Sequence, residues 1–311
     1  VFTRHKVTRN AVGVLSIASS TGPHPYQELQ SLWSADEELS KVDQPRVQRG
    51  YNTASSRRRH ILTAIAADDA VNVTSSDVIP FIADNFSEDT QNAIDIGSRN
   101  HRMLGVTDAA AAQDVVNYIR GDETLPNSRS RTLDGKTWLL GDIVHSSAAL
   151  VGRPASNYDI DRIGDTTYSD FVDRYRNRRL VTYVGANDGM LHAFNGGFYN
   201  HNTDSPGYLT APVGTTVTEH ELGAELWAYV PYNLLPHLKW LKDPNYSHVY
   251  YVDAKVHTFD VNIFSGNSYS EDDYPGGWGT IIVVGMRFGG GDYSLDLGDG
   301  DERTTRSAYI I

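Results

Sequence analysis

The stretch Tyr183 to Asn195, YVGANDGMLHAFN, constrains the fold of this chain more than any other. Two short apolar runs with a period of two flank Asn187-Asp188-Gly189. Asn, Asp and Gly tolerate positive φ, so the centre reads as a tight turn and the whole stretch as a β-hairpin. Met190 and Phe194 alternate with Leu191 and Ala193, so neither strand face is polar and both are expected to be packed. Asn187, Asp188 and Gly189 are read as structural turn residues. The alternative makes Asp188 a ligand for calcium or a glycan.

The stretch has internal partners. Leu191-His192-Ala193-Phe194-Asn195 aligns with Val256-His257-Thr258-Phe259-Asp260, and Thr182-Tyr183-Val184 with Val249-Tyr250-Tyr251. A weaker third copy runs from Ile281 to Gly285 and from Tyr293 to Asp296. Strand pairs recurring at several tens of residues predict propeller blades, with a β-sandwich as the alternative. Other short strands are expected at Trp138–Gly152, Glu225–Val230 and His248–Val252. No helix is expected to interrupt residues 136–311. His192 and His257 share a repeat position, which favours packing over catalysis.

Upstream the texture differs. Ala11–Ala18 reads as a strand. Tyr26–Leu39 reads as a loose helical or irregular segment. Thr107–Arg120, TDAAAAQDVVNYIR, reads as a helix with Thr107 as N-cap, an apolar face of Ala111, Val115, Tyr118 and Ile119, and Gly121 as terminator. Residues 122–136 read as a polar linker. Two regions are therefore expected: a mixed segment over 1–135 with a helix near 107–120, and β-propeller blades over 136–311. The blade set is expected to be incomplete, because the sequence stops at Tyr309-Ile310-Ile311 in what reads as a half-finished strand. A start at Val1 without a signal peptide suggests a processed chain or a fragment.

Composition narrows the chemistry. The net charge of −12 disfavours nucleic-acid phosphates as partners. The absence of cysteine excludes disulfides, thiolate catalysis and cysteine-ligated metals. No apolar run is long enough to predict a transmembrane helix. Gly289-Gly290-Gly291 lacks the lysine of a phosphate-binding loop, and His220-Glu221 does not extend to the zinc motif because residue 224 is Ala.

Five pieces in order resemble the carboxy-terminal region of the PilC/PilY family of type IV pilus biogenesis and adhesion proteins. They are Val115–Asp122 (VVNYIRGD), Leu140–Ser147 (LGDIVHSS), Tyr183–Phe194, Glu225–Pro231 (ELWAYVP) and Trp278–Thr280 (WGT). They cover roughly 105–311 and are specific only as a set. The resemblance implies a mainly β, quinoprotein-like β-propeller. It implies a secreted protein of the pilus or outer-membrane surface, working through pilin or minor pilin subunits and through host surface receptors rather than as an enzyme. Calcium regulation belongs to the family, but its Asp-rich loop has no complete match in this sequence.

Several candidate residues remain. Asp296, Asp299 and Asp301 in LDLGDGDE offer oxygen ligands at short spacing, suited to calcium or simply to a solvated acidic loop. Asp159, Asp161 and Asp165 make a weaker metal case. Arg120-Gly121-Asp122 spells a tripeptide that integrins read, yet it falls at a helix end where Arg and Gly have structural reasons to stand. Arg57, Arg58 and Arg59 read as the solvated approach to a strand. Two rival functions stay open: a quinone-dependent dehydrogenase built on the same blades, and a periplasmic scaffold for outer-membrane assembly.

Overall fold

A computed structural model describes residues 7–9, 15–17, 32–65, 77–87, 100–156, 158, 166–200, 205–208, 211, 217–266, 268–297 and 302–311. Its centre is a six-stranded sheet. In chain order the strands are β1 (Ile61–Ala64), β2 (Val78–Pro80), β3 (Ala149–Val151), β4 (Val181–Gly185), β5 (Leu191–Asn195) and β6 (Glu225–Val230). They lie in the order β2-β1-β6-β5-β4-β3. All neighbours are antiparallel except β1 and β6, which run parallel with Ile61 opposite Ala228. Strands from both sides of Lys136 thus share one sheet. Pro80 stands on an edge strand, where its missing N–H costs no ladder bond.

The YVGANDGMLHAFN stretch folds as the β4–β5 hairpin, with Val184 opposite His192 and Gly189 at φ +96°. Every residue of β5 is buried. One face packs Leu191 into the main core with Val116, Leu234, Tyr251 and Val284. The other face packs Val184 and Phe194 against Leu39 and Leu139. Cover on both faces is the reason the strand carries no polar alternation.

The second sheet is β7 (His257–Asn262), β8 (Trp278–Gly285) and, beyond it, β11 (Tyr309–Ile310); β9 (Tyr293–Asp296) and β10 (Glu302–Thr305) form a separate hairpin. Among the described residues the sheets do not close into a ring of blades, so the quinoprotein-like form of the expected propeller is not confirmed. The internal repeat also dissolves in three dimensions. His248–Val252 is irregular rather than a strand. Tyr251 and Val252 are both fully buried. Their N–H groups donate to Asn187 Oδ1 (2.9 Å) and the Ala186 carbonyl (3.4 Å). β7 pairs with β8, and the two halves of the third copy do not pair with each other. His192 is fully buried whereas His257 is exposed, so the shared position implies no shared role.

The helices refine the sequence reading. In chain order the α-helices of the described residues include α1 (Ala35–Leu39), α2 (Ala109–Arg120), α3 (Thr167–Tyr175) and α4 (Leu238–Lys242). Asp108, not Thr107, caps α2: its Oδ1 accepts from the N–H groups of Ala110 (2.6 Å) and Ala111 (3.1 Å). Ala112 rather than Ala111 joins the buried face. Gly121 ends the helix at φ +123°, donating to the carbonyls of Asn117 and Tyr118. α3 and α4 contradict the expectation of an uninterrupted β region. The signal for α3 was present, because Tyr168, Phe171, Val172 and Tyr175 keep helical spacing. Its Tyr168 packs on Trp278 at 4.8 Å between ring centroids and donates from its hydroxyl to Asp260 Oδ2 at 2.7 Å.

Leu15–Ile17 pairs with Val7–Arg9, within the expected Ala11–Ala18 strand; the rest of that stretch lies outside the described residues. Trp138–Ser147 is a loop rather than a strand.

Candidate functional site

The shared pieces of sequence converge on one buried node. Arg59, on the approach to β1, forms a bidentate pair with Glu225 at the start of β6: Nε to Oε2 at 2.8 Å and Nη2 to Oε1 at 2.7 Å. Glu225 Oε1 also faces His192 Nδ1 at 2.8 Å. His192 Nε2 faces the Asp188 carboxylate at 3.0 and 3.1 Å. Asp188 in turn accepts from the N–H of Gly141 (2.7 Å) and of Met190 (3.2 Å). A chain of alternating charge thus runs from Arg59 to the hairpin tip.

Both ring nitrogens of His192 face carboxylates. Burial opposes the charged ring, but the Asp188 charge and the hydrogen bonds to Asp188 and Glu225 prevail and raise its pKa to about 9. Burial would likewise raise Glu225, yet the Arg59 charge and its hydrogen bonds hold the carboxyl far below the usual range. The node holds a charged imidazolium between two carboxylates.

LGDIVHSS is the clasp of this hairpin. The Asn187 N–H donates to the Asp142 carbonyl at 3.0 Å, and Asn187 Nδ2 to Asp142 Oδ2 at 2.9 Å. The Gly185 N–H donates to Ser146 Oγ at 3.1 Å. A Cβ on Gly141 would stand 2.3 Å from the Asp188 nitrogen, so only glycine lets the clasp close. His145 meets Asp253 at 2.6 Å and His248 meets Asp142 at 2.9 Å, tying the same loop to residues 248–253. The side chains of Asn187 and Asp188 thus bond to Asp142, Tyr251, Gly141, Met190 and His192 of this chain.

Arg120, Gly121 and Asp122 are all buried. Arg120 donates to the carbonyls of Pro45, Val47, Arg59 and Phe81 and to Gln48 Oε1. Burial, then the nearby Arg59 charge, lowers its pKa to about 9. Asp122 accepts from Arg46 at 2.6 Å and from Thr124; these bonds outweigh its burial and lower its pKa. The tripeptide lies inside, binding segments of this chain together. Asp296 is exposed, while Asp299, Asp301, Asp159, Asp161 and Asp165 lie outside the described residues. Among the described residues no group of three or more His, Asp and Glu is arranged to hold a metal.

Sequence reasoning missed Arg59 and the Arg178–Arg179 pair. Arg57 pairs with Asp43 at the surface, but Arg59 turns inward. Only the single Glu at the start of ELWAYVP hinted at a buried cation opposite. Arg178 and Arg179 border an open cleft of about 1050 Å³ between the two sheets. Arg178 donates to the Gly152 carbonyl and to Thr280 Oγ1 (2.9 Å). Arg179 donates to Asn195 Oδ1 (2.7 Å) and the Thr218 carbonyl, with its guanidinium 4.7 Å from the Phe198 ring centroid. Both guanidiniums are thereby fixed, and burial lowers the pKa of each. The node around His192 is buried, whereas the cleft is open and lined by arginine and aromatic side chains.

No helix among the described residues is long and apolar enough to cross a membrane. Residues 140–309 match the family described as the PilY1 beta-propeller domain. A type IV pilus biogenesis factor PilY1 homolog of Xylella fastidiosa (strain Temecula1) is 32% identical over 212 residues, 67% of this chain and 15% of that protein. A second PilY1 homolog of the same strain is 29% identical over 266 residues, 79% of this chain and 16% of that protein. The type IV pilus biogenesis factor PilY1 of Pseudomonas aeruginosa (strain PAK) is 32% identical over 194 residues, 60% of this chain and 13% of that protein. The chain spans only a small part of the length of these relatives. No solved structure matches it. The matched region holds the clasp, the hairpin, β6 and both walls of the cleft, and on that basis the chain belongs to the PilY1 family of type IV pilus biogenesis factors.

Proposed function

We propose that this chain is a non-enzymatic part of a secreted, pilus-associated protein. It works at the pilus tip or outer-membrane surface by contact with pilin or minor pilin subunits, and with host surface receptors in adhesion. The match of residues 140–309 to the PilY1 domain carries the reading. The geometry supports it. The His192 imidazole between Asp188 and Glu225 is fully buried, which favours a structural use of that group over a catalytic one. The open cleft between the sheets instead combines tyrosine, tryptophan and arginine, the side chains that dominate protein-binding hot spots.

The test is complementation in a piliated bacterium whose own copy of the gene lacks the segment equivalent to 140–309. Surface pili are counted by electron microscopy, and the protein is located by immunogold labelling. Loss of pili, restored by the intact gene, with gold on pili or the outer surface, is the expected result. Unchanged piliation, or label confined to the cytosol, would overturn the reading.

A further inference from the structure

We propose that the cleft between the two sheets binds an extended acidic peptide segment. The inference rests on the reading of the chain as a protein that works by contact, and it assigns the chemistry of the partner.

Charge is the first observation. Arg174, Arg176, Arg178 and Arg179 line the cleft with Asp173 and Asp273, so guanidiniums outnumber carboxylates in its lining on a chain of net charge −12, although the charges of Asp260 and Glu219 also act on Arg178 and Arg179. Arg178 and Arg179 are held by the backbone carbonyls of Gly152 and Thr218, so little side-chain entropy remains to be lost when they bind an anion. Guanidinium groups match carboxylates in shape and charge. His220, on the same wall, agrees: burial first, then the Arg49 and Arg179 charges, push its pKa down to about 4.

The lining is the second observation. Val151, Val181, Leu226 and Ile282 interrupt the arginines with aliphatic surface. An extended peptide suits it, because alternate side chains point to opposite sides, acids to the arginines and apolar residues to the aliphatic wall. Tyr183 and Trp227, with ring centroids 5.7 Å apart, and the exposed Tyr51 add aromatic contact area. The volume, about 1050 Å³, lies at the upper end of ordinary pockets of about 300–1,000 Å³ and leaves room for a short peptide stretch.

The test uses the whole chain and fluorescein-labelled octapeptides read by anisotropy. An alternating Glu-Val peptide is compared with Gln-Val and Lys-Val peptides and with an oligogalacturonate. The acidic peptide should bind roughly tenfold or more tightly than the neutral one, the ratio falling as salt is raised. Arg176→Glu with Arg174→Glu should abolish that preference, and the charge reversal should admit the Lys-Val peptide. Arg176 and Arg174 are exposed, and thermal melting confirms that the variant folds. Equal binding of the Glu and Gln peptides, an unchanged preference in the folded double variant, or oligogalacturonate binding as tightly as the acidic peptide would each overturn the proposal. Failure here leaves the piliation result untouched, so the two readings fail separately.

Discussion

Raising the pH from neutrality to 9 should weaken this fold through one side chain. His192 is fully buried, with Nδ1 2.8 Å from Glu225 and Nε2 3.0 Å from Asp188. Its pKa is raised to about 9, against about 6.5 in an unfolded chain. A cationic group with a raised folded pKa contributes fully below the unfolded value and loses that contribution as pH climbs through the folded one. At about 1.4 kcal/mol per pH unit, the loss between pH ~6.5 and ~9 is on the order of 3 kcal/mol. That is a large share of the ~5–15 kcal/mol that holds an ordinary domain together.

Arg120, its pKa lowered to about 9, enters only at the top of this window and in the opposite sense, favouring the fold by a few tenths of a kcal/mol at about pH 9. The lowered pKa of Glu225 contributes above the ordinary carboxylate range and is lost only in acid. His220, lowered to about 4, weakens the fold as pH falls below its unfolded value. Urea melts followed by tryptophan fluorescence should therefore show a falling midpoint from pH 6.5 to 9 in the wild type. The decline should be absent in His192→Gln, whose stability is lower at pH 6.5 because Asp188 and Glu225 then lack the cation. A wild-type stability at pH 9 within about 1 kcal/mol of that at pH 6.5 would refute the reasoning. So would ring ¹⁵N shifts showing a neutral His192 at pH 7.5.

Gly141→Ala must push a Cβ into the Asp188 backbone at 2.3 Å, and should cost about 1–3 kcal/mol in urea denaturation while leaving secondary structure by circular dichroism intact. Arg120→Lys keeps the charge but cannot span the carbonyls of Pro45, Val47 and Phe81 together; chemical denaturation should show a loss of about 2–4 kcal/mol. Asp108→Ala removes the cap of α2, and the thermal midpoint should fall by the equivalent of about 1 kcal/mol, an effect Asp108→Ser should largely reverse.

What the sequence determined by itself was local. Asn187-Asp188-Gly189 between two apolar runs specified a hairpin, because turn chemistry and strand alternation act over a few residues. The capped helix near residue 109 and its stop at Gly121 were legible for the same reason, to within one residue at the cap. The ordered set VVNYIRGD, LGDIVHSS, YVGANDGMLHAFN, ELWAYVP was enough to point to a family. The second copy at Val249–Asp260 looked like a further hairpin because apolar alternation says nothing about which strand is the partner. Tertiary packing buried Tyr251 and Val252 on all sides and gave their N–H groups to the first hairpin, leaving 248–252 irregular. Only the fold could decide that Arg59, Asp188, His192 and Glu225 would meet. Their separations in sequence reach 166 residues, and a buried charge is fixed by the partners the whole chain brings to it. The cleft is of the same kind: its arginines stand in a run at 174–179, but the Val151, Trp227 and Ile282 surface that gives them a binding character comes from three separate strands.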